Sequence, residues 1–479
     1  MMHRHNDSYD PLALAIAPPA NETLAERAAR EKSEYEALLR SRKIDLELKA
    51  AKAAMKRYNK AVKILVLGQS LSGKSTTIKN FQMTYAHKSW SEERASWKAV
   101  ILLNLVRSVN LILDVISDTN NASTLHDHDP VVDLSQSPTL PRFGARPTPT
   151  EKHRSVALRL TPLRQIEKDL RAFLGAGSSE ISDSQRGGLN GTAQLDLNFQ
   201  EFSIRSSSGW KGILDHIRNP QPGKDAQLHR VACHVVAGCR DDIRWLWDDQ
   251  TTQAILRDRL IRLEDSPGFF LNDIDRIASL DYEPTDQDIV RARLRTTGVQ
   301  EYRFTLDKSN GVAAGLEWIM YDVAGIRTSR AAWIPYFKDI TALIFLAPIS
   351  SFNERLGEDD RVNRLEDTLV LWKKICSNPL LSEVQIILFM NKIDLLKKKL
   401  DRGVRVQKYI PDFDKSNDFE TVSLWFRRVF RRIYVDHAHH NNPFISHFTS
   451  VVDTKTTAQT LEAVQATILR HDIVDAGLL

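Results

Sequence analysis

Three short stretches carry residue types suited to holding a phosphorylated nucleotide. The first, Gly68-Gln69-Ser70-Leu71-Ser72-Gly73-Lys74-Ser75, has the spacing G-x-x-x-x-G-K-[ST] between a β-branched apolar run and a helix-forming run from Thr76. In that setting backbone N–H groups at a helix N-terminus cradle phosphate oxygens. Lys74 reaches the β- and γ-phosphates, and the Ser75 hydroxyl ligates Mg2+. The second, Asn391-Lys392-Ile393-Asp394, follows the apolar run VQIILFM. A carboxylate at Asp394 accepts from both N1–H and N2–H2 of guanine, a pair that adenine does not offer, while the Lys392 stem lies along the base. The third, Asp322-Val323-Ala324-Gly325, ends the run EWIMYD. Asp322 there is a natural outer-sphere carboxylate for Mg2+, and Gly325 can present its N–H to a terminal phosphate with no Cβ in the way. Taken singly, N-K-x-D is commonly a loop and D-V-A-G a strand-ending turn. Together they point to a guanine nucleotide with Mg2+ and away from an ATP-dependent kinase or ATPase.

Loops of this kind need a frame that gathers strand ends. The chain has 479 residues, 42% hydrophobic and 27% charged, which suffices for two or more domains. A net charge of +5 argues only mildly for an acidic partner or a membrane surface, and not for nucleic acid. Cys233, Cys239 and Cys376 are too few for a disulfide framework and suit a reducing compartment. The opening MMHRHNDSYD has no apolar segment of a secretory signal and offers neither the Gly nor the Cys that would take an acyl chain. No apolar run is expected to approach the length of a membrane span.

Residues 1–21 read as disordered and 22–60 as one long polar helix without Pro or Gly. VKILVL (62–67) reads as a buried strand, and further strands are predicted at 300–306, 316–322, 342–347, 384–390 and 444–449. Helices fall between them, with a last one over about 457–474. This alternation predicts a parallel α/β sheet with right-handed crossovers. Helical patterns at 88–117, 240–262 and 269–279 form an all-helical insertion, giving a sheet domain of 61–87 plus 290–479 and a helical domain of 88–289. Within the insertion, 118–155 is Pro-, Ser-, Thr- and Asp-rich and reads as disordered, and 175–225 contains a second, Gly/Ser-rich stretch of low complexity.

In this order the motifs resemble the α subunit of heterotrimeric G proteins. DIVRARLRTTGVQEYRF (288–304) is similar to that family's first switch, and FFLNDIDRIASLDYEPTDQDIVRAR to the end of its helical domain. IRTSRAAWIPYF is similar to its second switch, with Trp333 at the expected place, FTSVVDT to its guanine-contacting loop, and ILRHDIVDAGLL to its receptor-binding tail. The likeness covers most of 22–117 and 240–479. It implies a P-loop GTPase fold with an inserted helical domain, GTP and GDP as ligands, Mg2+, and hydrolysis of GTP. Arg293 would then be an arginine finger supplied in cis, acting with Lys74 and Gly325. Thr296 would be the second Mg2+ ligand beside Ser75, with Asp322 in the outer sphere. Nucleotide contacts are implied for Gly68, Leu71, Ser72, Gly73, Thr76, Ser266, Val290, Arg291, Asn391, Lys392 and Asp394, and Val451 would give its N–H to the base oxygen. The implied partners are a β–γ dimer on the 22–60 helix and second switch, a G-protein-coupled receptor on the tail, and an unspecified effector. They would hold the chain at the inner face of the plasma membrane.

The chain departs from that family where chemistry is at stake. Ser70 stands for the third glycine of the phosphate loop, and Leu71 for the acid that pairs with the arginine finger. Ala324 stands for the first glycine of the second switch, Ile326 for the water-orienting glutamine, and Ala476 for a cysteine near the C-terminus. Ile326 has no donor or acceptor for a water, which implies slow hydrolysis unless Thr328 or Ser329 substitutes. Two readings stay open: a slowly hydrolysing switch, and a GTP-binding interaction module that no longer cycles.

Overall fold

The computed structural model describes residues 23–125, 147–174, 203–204, 224–259, 261–266, 268–296, 299–307, 316–325, 327–356, 359–438 and 443–475. Contacts divide the chain into two units, 1–61 and 62–479. The described part of the first is a single helix, α1 (Leu24–Lys60). Thr23 and Glu26 close a reciprocal capping box at its start, the Thr23 hydroxyl donating to Glu26 Oε2 at 2.7 Å. Arg27–Glu31 and Arg30–Glu34 add ion pairs one turn apart. Leu24, Tyr35, Leu38, Leu39, Ile44, Leu46 and Leu48 are exposed, so over residues 24–50 local pairs and propensity rather than a core hold this helix.

In the second unit a six-stranded sheet runs in the order β4-β5-β1-β6-β7-β8. Its strands are β1 (Val62–Gly68), β4 (Val299–Thr305), β5 (Glu317–Val323), β6 (Ala342–Pro348), β7 (Gln385–Asn391) and β8 (Ile445–Thr449). Short strands β2 (Ser203–Ile204) and β3 (Arg295–Thr296) pair separately, in parallel, which the low-complexity reading of 175–225 did not anticipate. Strands β1, β6 and β7 are buried along their whole length, as their continuous apolar runs require. Val66 is in register with Asp322 on one side and Ile344 on the other, and Asn391 with Pro348 and Thr449. The nucleotide motifs therefore leave the sheet at one edge, the C-terminal ends of its parallel strands. The sheet is parallel except at one edge. β4 runs antiparallel to β5, with Gln300 opposite Asp322 and Thr305 opposite Glu317.

After β1 the chain enters α2 (Lys74–Tyr85) and then a helical block. The block contains α3 (Trp97–Leu125), α4 (Glu151–Leu160), α5 (Pro162–Phe173), α6 (Lys224–Gly238), α7 (Arg240–Asp248), α8 (Gln250–Asp258) and α9 (Asp286–Arg291). Its core gathers Val100, Leu103, Val106, Leu160, Leu170, Val236, Leu246 and Phe270 around α3. Contrary to expectation, the helical run His87–Thr119 is long and apolar enough to cross a membrane; 83% of its apolar window is buried, so the apolar face serves this core. The stretch read as disordered from 118 to 155 has helix at both ends. Helix α3 continues to Leu125, Thr119 accepting a hydrogen bond from Arg259 at 2.9 Å, and Thr150 with His153 caps α4. Residues 126–146 lie outside the described residues, as do 1–21. The helical pattern expected over 240–262 resolves into two helices, broken at Asp249, whose carboxylate caps α8 by accepting from Thr252 N at 2.9 Å.

Helices α10 (Arg364–Cys376), α11 (Ile393–Asp401), α12 (Phe419–His437) and α13 (Thr454–Asp475) complete the unit. The side chains of Ile78, Phe81, Leu461, Val464 and Ile468, from α2 and α13, pack with Ile64, Val66, Trp318 and Met320 of the sheet. Trp372 of α10 packs on Phe345 of β6 at 5.0 Å between ring centroids and donates to Phe430 O at 3.0 Å. Rigid packing of this kind fixes the strand ends from which the loops emerge.

Candidate functional site

Gly68 ends β1 at φ +146°, and an added Cβ would lie 2.5 Å from Leu346 O. Gly73 caps α2 at φ +103°, where a Cβ would meet Asn391 Nδ2 at 2.4 Å. Between them Leu71 takes φ 63°, a left-handed conformation that costs a non-glycine residue about 1–2 kcal/mol. The turn exposes its backbone to the cavity and buries Lys74, whose Nζ donates to Gly68 O at 3.0 Å and Gln69 O at 2.8 Å. Burial pushes the Lys74 pKa down to about 8; Asp322 opposes the shift, and Arg364, Arg330 and Arg293 add to it. Ser75 Oγ donates to Asp322 Oδ2 at 2.5 Å, and Asp322 is fully buried. Gly325 presses on the loop from above, since a Cβ there would lie 2.3 Å from Gln69 C and Ser70 N.

The opposite end of the site is organised by Asn391. Its Nδ2 donates to Ser72 O at 2.7 Å, and its Oδ1 accepts from Thr449 Oγ1 at 3.2 Å and Val451 N at 3.3 Å. Asn80 of α2 donates to Val451 O at 2.8 Å, so the last loop is tied to the phosphate-loop helix as well. Asp394 Oδ1 accepts from Ser450 Oγ at 2.8 Å. Lys392 sits at φ 64°, and burial lowers its pKa to about 8.

A cavity of about 390 Å³ joins these parts. Leu71, Ser72, Gly73, Lys74, Ser75, Thr76, Gly325, Asn391, Lys392, Asp394 and Val451 line it from the sheet side, and Ser266, Val290, Arg291 and Arg293 from the helical side. Gly68 and Asp322 do not line it: Gly68 offers its carbonyl to Lys74 beneath, and Asp322 stands behind Ser75. The backbone of Thr296 lies in β3. Ile326 falls outside the described residues. Trp333 is buried and donates to Ala324 O at 3.1 Å, and Arg330 pairs with Asp367 of α10 at 2.5 Å. Asp367 in turn accepts from Gln69 of the phosphate loop at 2.5 Å.

The profile of the G-protein alpha subunit family matches residues 39–468. The chain belongs to the G-protein alpha subunit family. Guanine nucleotide-binding protein alpha-4 subunit of Mycosarcoma maydis is 31% identical over 99% of this chain and 96% of its own length. Guanine nucleotide-binding protein alpha-1 subunit of the same organism is 29% identical, covering 94% of this chain and 98% of its own. Guanine nucleotide-binding protein subunit alpha of Coprinellus congregatus is 27% identical, covering 93% and 97%. Members of the G-protein alpha family bind guanine nucleotides and are GTPases.

Among the described residues no group of three or more His, Cys, Asp or Glu side chains is placed to cage a metal ion. Mg2+ beside a nucleotide does not need one. It takes one or two protein oxygens and fills its octahedron with phosphate oxygens and water. Ser75 and Asp322, already in contact, fit that donor set for this alpha-family chain.

Sequence reasoning missed Lys79, Gln300, Tyr302 and Trp97, which also line the cavity, and Asn104, which lies just behind it. One of them left a trace. Asn104 is a polar residue inside an otherwise apolar helical stretch (ILLNLV), and a buried polar group must find a partner.

Proposed function

We propose that the chain binds GTP and GDP with Mg2+ as a signalling switch and that its GTP hydrolysis is slow. One observation carries this reading: the guanine-type loop with Asp394 and Val451, the phosphate loop with Lys74 and Ser75, and Arg293 all face one cavity. Asp394 selects guanine, Asn391 holds the base loop on the phosphate loop, and Lys74 and the loop N–H groups bind the phosphates. Mg2+ held by Ser75 and Thr296, with Asp322 in the outer sphere, would supply charge neutralisation at the phosphates. Arg293 neutralises charge that develops on the γ-phosphate. No side-chain donor or acceptor exists at Ile326 to orient the attacking water. Such positioning is worth about 10²–10⁴-fold in rate, or roughly 3–5 kcal/mol of barrier.

The test is single-turnover hydrolysis of GTP by wild type, Ile326→Gln and Arg293→Ala. Ile326→Gln should be at least about tenfold faster, and Arg293→Ala should abolish what remains. A wild type as fast as Ile326→Gln would refute the assignment of the isoleucine. A chain that binds GTP but hydrolyses none of it, as wild type or as Ile326→Gln, would fit a non-cycling interaction module better.

The exposed apolar side chains of α1 and the exposed Ile334 of the second switch support docking of a β–γ dimer. Receptor coupling would use the C-terminal tail, and membrane contact would come through these partners. Deleting residues 1–50 should abolish co-purification with β–γ and leave nucleotide binding intact.

A further inference from the structure

Asn104 sits in α3, within an apolar run, and is buried. Its Oδ1 accepts from Arg293 N at 2.7 Å, and its Nδ2 donates to Arg293 O at 2.9 Å. A primary amide supplies a donor and an acceptor side by side, so it pairs with one residue's backbone as a neighbouring strand would. Gly268, at φ +80°, makes room for this contact. A Cβ there would lie 2.7 Å from Asn104 Oδ1 and 3.1 Å from Arg293 Cβ. From the other flank Lys79 Nζ donates to Ile289 O at 3.0 Å and Ala292 O at 2.7 Å, and lies 4.0 Å from the centre of the Trp97 ring. Lys79 belongs to α2, the helix that begins at the phosphate loop. The Arg293 segment is thus gripped between a jaw on α2 and a jaw on the helical block.

We propose that Asn104 is the positioning residue of Arg293. It fixes, through the backbone, the residue that neutralises the γ-phosphate, and it makes closure of the helical block a condition of that placement. The proposal rests on the role given to Arg293 above. It also accounts for how the finger is placed when the phosphate-loop position that is acidic in relatives is the uncharged Leu71: the anchor acts on the main chain, not on the guanidinium.

The experiment uses the full chain loaded with GTP, as wild type, Asn104→Ala, Asn104→Asp, Gly268→Ala, Arg293→Ala and the double variant Asn104→Ala/Arg293→Ala. Hydrogen–deuterium exchange is read at the Arg293 amide, and single-turnover hydrolysis is read in parallel. Asn104→Ala should speed exchange at that amide at least about tenfold, and Asn104→Asp, which keeps the acceptor, by less. Asn104→Ala should slow hydrolysis about tenfold or more, yet add nothing in the Arg293→Ala background. Gly268→Ala, which displaces the amide without altering α3, should reproduce both effects, guarding against a simple folding defect. An unchanged Arg293 amide in Asn104→Ala would overturn the clamp. Hydrolysis in Asn104→Ala as fast as in wild type would overturn the positioning role. A wild type with no measurable hydrolysis would overturn the functional reading and the catalytic half of this proposal, leaving the clamp to the exchange measurement.

Discussion

Replacing Asn391 by alanine tests the construction of the site most directly. The side chain is fully buried and makes three contacts: Nδ2 to Ser72 O at 2.7 Å, and Oδ1 from Thr449 Oγ1 at 3.2 Å and Val451 N at 3.3 Å. The first is short and joins the two ligand loops; the others are long and weaker. A buried group left without its partner costs about 1–3 kcal/mol, so losing the Ser72 contact and part of the other two sums to about 2–4 kcal/mol. Some of that falls on the empty fold. If about 1.5–3 kcal/mol falls on the bound state, affinity for a fluorescent GTP analogue drops roughly ten- to a hundredfold in equilibrium titration. Asn391→Asp keeps the acceptor, loses the donor and buries a charge beside the Ser72 carbonyl, so it should be at least as damaging. Gly73→Ala provides an internal check, because its Cβ would lie 2.4 Å from Asn391 Nδ2. Its penalty should shrink in the Asn391→Ala background, though the strain at φ +103° remains. An Asn391→Ala protein that binds within threefold of wild type, or full additivity with Gly73→Ala, would refute the reasoning.

Gly325→Ala should lower GTP affinity at least about tenfold, because its methyl meets backbone atoms at 2.3 Å that have no rotamer to yield; a glycine-like titration curve would contradict this. Nucleotide binding should also take up protons. With Lys74 held near pKa 8 against 10.5 for an ordinary lysine, its charged form is penalised in the empty fold, and the fold gains stability as pH rises from about 8 toward 10.5. Phosphates restore the charge, so at about pH 9 calorimetry in two buffers of different ionisation enthalpy should show uptake that Lys74→Met removes, and affinity should fall as pH rises further.

Much of the sheet was legible because its strands are short continuous apolar runs, such as VKILVL and VQIILFM, bounded by the loops that carry the motifs. The phosphate loop, Asn391–Asp394 and Asp322–Gly325 were legible for the same reason, as spacing within one loop is a local property. What was not legible is non-local. The antiparallel direction of β4 against β5 is set by pairing between strands, and the pairing of Ser203–Ile204 with Arg295–Thr296 joins segments far apart in the chain. Helices α4, α5 and α6 were hidden because they flank stretches of biased composition, and Thr150 capping α4 is a single-residue signal inside one of them. Asn104 announces a buried polar contact but not which backbone it holds, and Lys79, in a mostly polar helix, announces none.

The contacts of Asn391 and Asn80 also set an order of events during synthesis. Asn391 reaches Ser72 across 319 residues, and Asn80 reaches Val451 across 371. At about 5–20 residues per second on a ribosome, the phosphate loop waits roughly 15–75 s for these partners. For most of that interval, until residues 317–348 are made, the apolar strand β1 lacks its eventual neighbours, β5 and β6, and is a segment that chaperones would have to shield. Any product released before Val451 would carry an intact phosphate motif and no closed pocket around it.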